Sequence, residues 1–170
     1  MEPFTPERTG DIHDFDFLAG SWRIVNRRLR ERGVGSKDWD DFHATFRAAL
    51  HMGGVVNVDE MSVPSRGWSG MSIRVFNPEK RQWSIYWINS QKGVMEPAVR
   101  GGFAGNRGEF YGEDVDNGRP VTARFIWMRL GPDAVHWEQA FSYDGGEWET
   151  NWVMEFTRDG QGRPGYVRFG

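Results

Sequence analysis

From Ser21 to Arg158 apolar and polar residues alternate in short runs, and glycine, proline, asparagine and aspartate separate one run from the next. Trp83, Ile85 and Trp87 share one parity, as do Val121, Ala123, Phe125 and Trp127. Val135, Trp137, Gln139 and Phe141 repeat the pattern, and so do Trp148, Thr150, Trp152, Met154 and Phe156. A period of two marks strands with one apolar face. Ten strands are predicted, over 21–30, 40–50, 54–62, 68–77, 82–89, 98–105, 108–114, 120–130, 134–143 and 147–158. The stretch from Asp40 to Leu50 has a helical composition, yet Phe42, Ala44, Phe46, Ala48 and Leu50 keep period two, and it is read as a strand.

The links Asn77-Pro78-Glu79-Lys80, Asp116-Asn117-Gly118, Gly131-Pro132-Asp133 and Asp144-Gly145-Gly146 are tight turns that join antiparallel neighbours. Such a meander ends as a two-layer sandwich or a closed barrel, and closure removes the exposed edges. Sequential links favour closure, so the expected fold is all-β: a single antiparallel up-and-down barrel of about ten strands. Residues 1–20 form an N-terminal segment, in which Thr9 to Asp16 is either a helical turn or an extended lid; 21–158 form the barrel and 159–170 a tail.

At 170 residues the chain suits one domain. Nine Trp, twelve Phe and four Tyr concentrate apolar area in few residues. A formal net charge of −3 argues against nucleic acid as a partner, and the run Arg27-Arg28-Leu29-Arg30, balanced by Glu31, Asp38, Asp40 and Asp41, reads as a solvated strand end. The absence of cysteine excludes disulfides and thiolate chemistry. Met1 to Arg8 show no export signal and no apolar run could span a bilayer, so the expected location is cytoplasmic.

Gly20-Ser21-Trp22, the meander, and Arg158 at the end of Trp152-Val153-Met154-Glu155-Phe156-Thr157-Arg158 resemble the calycins, the group of lipocalins and fatty-acid-binding proteins. The resemblance implies that Trp22 packs under Arg158 and closes one barrel end. Asp14 to Arg158 is also similar to an uncharacterised bacterial domain-of-unknown-function family, family 1579, through Asp16-Phe17-Leu18-Ala19-Gly20-Ser21-Trp22, Gly53-Gly54-Val55-Val56-Asn57-Val58-Asp59-Glu60, Gln82-Trp83-Ser84-Ile85-Tyr86-Trp87 and Trp137-Glu138-Gln139-Ala140-Phe141-Ser142. It implies a fold and no activity.

Of the histidines, His43, His51 and His136 fall on the parity opposite to the aromatics, which weakens a haem-ligand reading. No HxH or HExxH spacing supports a metal, no Gly-x-Ser-x-Gly supports a nucleophile, and Gly101-Gly102-Phe103-Ala104-Gly105 lacks the lysine of a phosphate loop; its glycines suit a strand bend at a barrel corner. No cofactor is expected. Polar residues on the aromatic parity are more informative, because burying them unpaired costs about 1–3 kcal/mol. Arg74 follows Trp68, Gly70 and Ser72; Gln139 lies between Trp137 and Phe141; Asn89 follows Trp87; Asn57 precedes Asp59. With that face inward, Asn57, Arg74, Trp87, Asn89, Trp137, Gln139 and Trp152 are the expected contacts of a small hydrophobic or amphipathic ligand, with Arg74 anchoring a carboxylate or phosphate. Alternatively these polar groups hydrogen-bond one another.

The leading expectation is a non-enzymatic binding barrel. The second is a cofactor-independent isomerase, cyclase or hydratase using Arg74, Glu60 or Glu138 in the same cavity. A third is an interaction module or homodimer through an exposed patch at Trp39 or Trp68. An inverted barrel, with polar groups inside, would carry Glu138 and His136 into the cavity.

Overall fold

The computed structural model describes residues 8–160, so the first seven residues and the tail from 161 lie outside the described residues. Ten strands follow one another: β1 (Gly20–Leu29), β2 (Trp39–His51), β3 (Val56–Val63), β4 (Trp68–Asn77), β5 (Gln82–Asn89), β6 (Val99–Ala104), β7 (Arg107–Asp116), β8 (Arg119–Gly131), β9 (Ala134–Tyr143) and β10 (Trp148–Arg158). Each pairs antiparallel with its neighbours in sequence, and β1 pairs with β10 to close the barrel. The local cause is turn chemistry: Asn117 (φ 48°) and Gly118 (φ 80°) occupy the left-handed region that a two-residue hairpin between twisted strands demands.

The aromatic face points inward. Trp22, Ile24, Phe42, Phe46, Met61, Trp83, Ile85, Phe110, Trp127, Trp137 and Phe156 are buried in one core. The segment Asp40 to Leu50 is strand, with Phe42, Ala44, Phe46 and Ala48 buried, and Leu50 exposed where the strand runs past the barrel end. One expectation needs correcting. The parity of Trp148, Thr150 and Trp152 is broken by a bulge, since Thr150 pairs with Ala140 and Trp152 with Gln139, leaving Asn151 as the extra residue. Trp148 is therefore exposed, under the Arg124 guanidinium.

The two ends differ. At the end formed by the start of β1, Trp22 lies under Arg158, whose guanidinium carbon is 4.1 Å from the ring centroid. The Arg158 guanidinium also donates to the carbonyls of Ala19 (3.0 Å) and Phe17 (2.9 Å), and the Trp22 indole donates to Leu18 (3.0 Å). Residues 10–19 cross this opening as a strap of turns with one 3₁₀ turn, Asp16–Leu18. The Gly10 amide donates to Arg81 O (2.7 Å) and the Trp83 indole to Asp11 O (2.9 Å). Gly102 makes the fit possible, for a Cβ there would strike the backbone of Gly10. Gly102 thus serves a close backbone approach.

Glu109, on the outer face of β7, ties down the strap's beginning. It is ion-paired with Arg8 and Arg107 and accepts from the Tyr111 hydroxyl at 3.1 Å. Burial pulls its carboxyl up, but these partners outweigh burial and hold it at about 2 against an ordinary 4.5. A depressed carboxylate stabilises the fold fully above its unfolded pKa and loses that contribution as pH falls through its folded one. Glu109→Gln is therefore expected to flatten the fall in Tm between about pH 4.5 and pH 2, as thermal unfolding at stepped pH would show.

Candidate functional site

Within the barrel a gap of about 40 Å³ remains, walled by Trp87, Trp127, Trp137, Trp152 and Phe125 and floored by Arg74 and Asp59. The register explains the floor. Asn57 and Arg74 face each other across β3 and β4, and Asp59 faces Ser72 one step further, so the long arginine side chain reaches both. Arg74 is ion-paired with Asp59, both nearly wholly buried, and donates from Nη1 to Asn57 Oδ1 at 2.8 Å. The Ser72 amide donates to Asp59 Oδ1 at 3.2 Å. The guanidinium carbon lies 5.2 Å from the Phe15 ring centroid and 5.3 Å from that of Trp127.

Burial pushes the Asp59 carboxyl upward, with Arg74 and Ser72 pulling it back in part. Two buried donors bordering the gap, Arg74 Nε and Trp127 Nε1, meet no acceptor among the described residues. The charge of Arg74 is met from within by Asp59, which leaves the gap suited to a neutral oxygen acceptor more than to a second carboxylate.

At the other end, the mouth, three indoles close the barrel. Trp68, Trp87 and Trp152 meet edge to face, with ring centroids 6.4 Å (Trp68 to Trp87), 6.1 Å (Trp68 to Trp152) and 5.9 Å (Trp87 to Trp152) apart. Trp87 fits only because residue 70 is glycine, since a Cβ there would overlap its ring. The Trp152 indole donates to Asn26 Oδ1 at 2.9 Å, and Gln139 donates to Asn151 Oδ1 at 2.8 Å. Outside the triad is an open pocket of about 300 Å³, lined by Trp68, Phe42, Arg28, Arg30, Arg32 and Arg66 among others. Trp68 thus walls this pocket while Trp87 and Trp152 wall the inner gap, and the triad separates the two.

Of the residues expected at the site, Arg74, Trp87, Trp137, Gln139 and Trp152 border the gap. Asn57 is behind Arg74. Asn89 ends β5, and its Oδ1 accepts the Gln91 amide at 2.8 Å, which occupies it in the turn. Sequence reasoning missed Trp127 as a donor, Asp59 as the partner of Arg74, and Asn26, Arg28 and Asn151. Asn26 and Arg28 continue the parity of Trp22 and Ile24, so the signal was present; Asn151 depends on the bulge.

The remaining chemical candidates face outward. His13, His43 and His51 are exposed, and the His136 ring is held on the outer surface by Glu155 (2.5 Å) and Glu138 (3.0 Å). Burial opposes protonation of His136, but these two carboxylates outweigh it and raise its pKa above the ordinary value. The inverted barrel is thereby ruled out for His136 and Glu138, and no histidine reaches the interior to bind a haem iron. Glu60 and Glu155 are exposed. Among the described residues no three metal-ligating side chains converge, and no helix is long and apolar enough to cross a membrane.

This architecture is a single closed ten-stranded antiparallel barrel with an aromatic-rich interior. Several solved structures share the fold, two of which illustrate it. One is a protein of unknown function from the DUF3598 family of Nostoc punctiforme, 13% identical with a TM-score of 0.52; the match covers 92% of this chain and 53% of that one, so the chain spans about half its length. The other is an S-type phycobiliprotein lyase from Guillardia theta, 11% identical with a TM-score of 0.53, covering 91% of this chain and 95% of that one. No family model and no curated protein matches the chain.

Proposed function

We propose that the barrel binds a small hydrophobic or amphipathic molecule whose ring or chain lies among Trp87, Trp137 and Trp152 and whose neutral oxygen accepts from Arg74 Nε and Trp127 Nε1. One observation carries the reading: two buried donors without an acceptor open on a gap walled by indoles. The gap of about 40 Å³ holds a water or a small polar group, far less than the ~300 Å³ of a typical ligand pocket. The ligand's body must therefore part the indole triad and draw on the outer pocket of about 300 Å³. The four residue stretches that carry the resemblance to the uncharacterised bacterial family support kinship with it.

Native mass spectrometry of freshly purified protein is expected to show a retained small molecule and reports the number of subunits at once. Tryptophan emission should shift or quench on titration with a panel that includes biliverdin, prompted by the name of the Guillardia theta barrel. Unchanged emission across the panel, with no retained mass, would overturn the reading.

A cofactor-independent isomerase, cyclase or hydratase is the second reading, favoured by Asp59, a buried carboxyl pushed upward at the edge of the gap. Turnover that survives Asp59→Asn in folded protein would remove it.

A further inference from the structure

The run Arg27-Arg28-Leu29-Arg30 does not behave as one solvated strand end. Arg28 shares the inward parity of Trp22, Ile24 and Asn26, and its guanidinium carbon lies 4.4 Å from the centroid of Trp152. It is half-buried at the rim of the mouth, directly above the indole triad.

Four arginines line the outer pocket, and three are neutralised. Arg66 binds Asp40 through two hydrogen bonds of 3.0 and 2.5 Å, Arg30 contacts Asp38 and Asp40, and Arg32 donates to Asp116 at 2.8 Å. Asp116 is further held by the Tyr143 hydroxyl at 2.6 Å; burial pulls its carboxyl up, but Arg32 and Tyr143 outweigh it and keep it below the ordinary range. Arg28 makes no ion pair or hydrogen bond with a carboxylate among the described residues; the nearest carboxylate to act on it is Asp116, which is already bound by Arg32. Burial, then the charge of Arg32, lowers its pKa to about 10, and Asp116 pulls it back only in part, so its charge is incompletely compensated where it stands. A part-desolvated guanidinium beside an open pocket, stacked on the indole that bars the way inward, is arranged to receive an anion.

We infer that Arg28 receives the carboxylate of an amphipathic ligand at the mouth, while the ligand's apolar body passes between Trp68, Trp87 and Trp152. This rests on the proposed binding function and gives the ligand a direction: neutral oxygen inward toward Arg74 and Trp127, acid outward on Arg28. It also moves the acid-binding role from Arg74, whose charge Asp59 already meets, to a residue on the other side of Trp152, at the mouth. Stacking and ion pairing then act together, because an anion that draws the guanidinium outward uncovers Trp152.

The test compares 1-naphthaleneacetic acid with its isosteric amide, 1-naphthaleneacetamide, on the full chain at pH 7, followed by tryptophan quenching and calorimetry. The acid should bind roughly tenfold tighter than the amide. Arg28→Gln should abolish that preference by weakening the acid alone, and Arg28→Lys should restore part of it. Arg27→Gln removes an equal charge from the outer face, where Arg27 meets Asp41, and should leave the preference intact. If acid and amide bind alike, or if Arg28→Gln weakens both equally, the inference is overturned and the binding function stands. If neither binds, the inference is overturned, and the binding function is decided by the retained mass and the ligand panel. Should Arg28→Gln fail to fold, the acid preference of the native chain and its loss in 0.5 M salt decide the matter, since pairing at an open rim is screened over a Debye length of a few ångströms.

Discussion

Replacing Arg74 by leucine is expected to cost about 3–5 kcal/mol of stability, because it strands Asp59 in the interior without a counter-charge. Asp59 is 2% exposed and its remaining polar contacts are the amide and the side chain of Ser72. The loss should depend on pH with a definite sign. A carboxyl whose folded pKa lies above its unfolded value binds a proton more readily in the native state, so the variant is least impaired in acid and weakens as pH rises through and beyond the ordinary carboxylate range. Urea midpoints at pH 5 and pH 8 would show this. Replacing both residues by leucine should recover much of the loss, the remainder reflecting Asn57 Oδ1 without its donor. A change below about 1 kcal/mol for Arg74→Leu would mean that the pair is not the floor of the core.

Phe15→Ala is expected to lower stability by a similar ~3–5 kcal/mol and, unlike the first variant, to open a new space. Phe15 is the ring by which the strap enters the barrel. It is fully buried and packs 5.1 Å from Trp83, 5.3 Å from Phe103, 5.6 Å from Phe110 and 5.7 Å from Trp127, centroid to centroid. Its removal also takes the aromatic face from beneath Arg74. A cavity so lined stays dry and accepts a small aromatic molecule. Benzene should therefore raise the Tm of Phe15→Ala and leave that of the native chain unchanged; an equal effect on both would show that the strap has collapsed into the space.

Much of the barrel was legible because its turns are chemically explicit and its inward positions obey period two. The third strand was expected from 54 and begins at Val56, since Met52–Gly54 forms a 3₁₀ turn with Gly53 at φ 67°. Parity also placed Arg74, Trp87, Trp137, Gln139 and Trp152 around one interior. What it could not give was register. That Arg74 reaches Asp59 follows from which residues of β3 and β4 stand opposite, and a shift by two would have left both charges alone. At Asn151 an extra residue reversed the parity before Trp152, and no local signal announces a bulge there. Arg28 shows the opposite failure, for its parity was right and its charge argued it away. The expected aromatic-lined cavity is reduced to a gap of about 40 Å³, because the indoles and phenyl rings fill most of the interior.

The hoop of the barrel is not equally strong all the way round. β5 and β6 share three residue pairs, Trp83 with Gly101, Ser84 with Arg100 and Ile85 with Val99, and beyond them β5 is held by the following loop through Glu96 to Trp87 O (2.8 Å) and the Ile88–Met95 bridge. Local opening is easiest where the ladder is shortest. That compliant joint lies beside Trp87 at the mouth, while the opposite end is clamped by Arg158 and the strap. Any widening of the barrel therefore begins at the mouth beside Trp87, and the end held by Arg158 and the strap is the last to give.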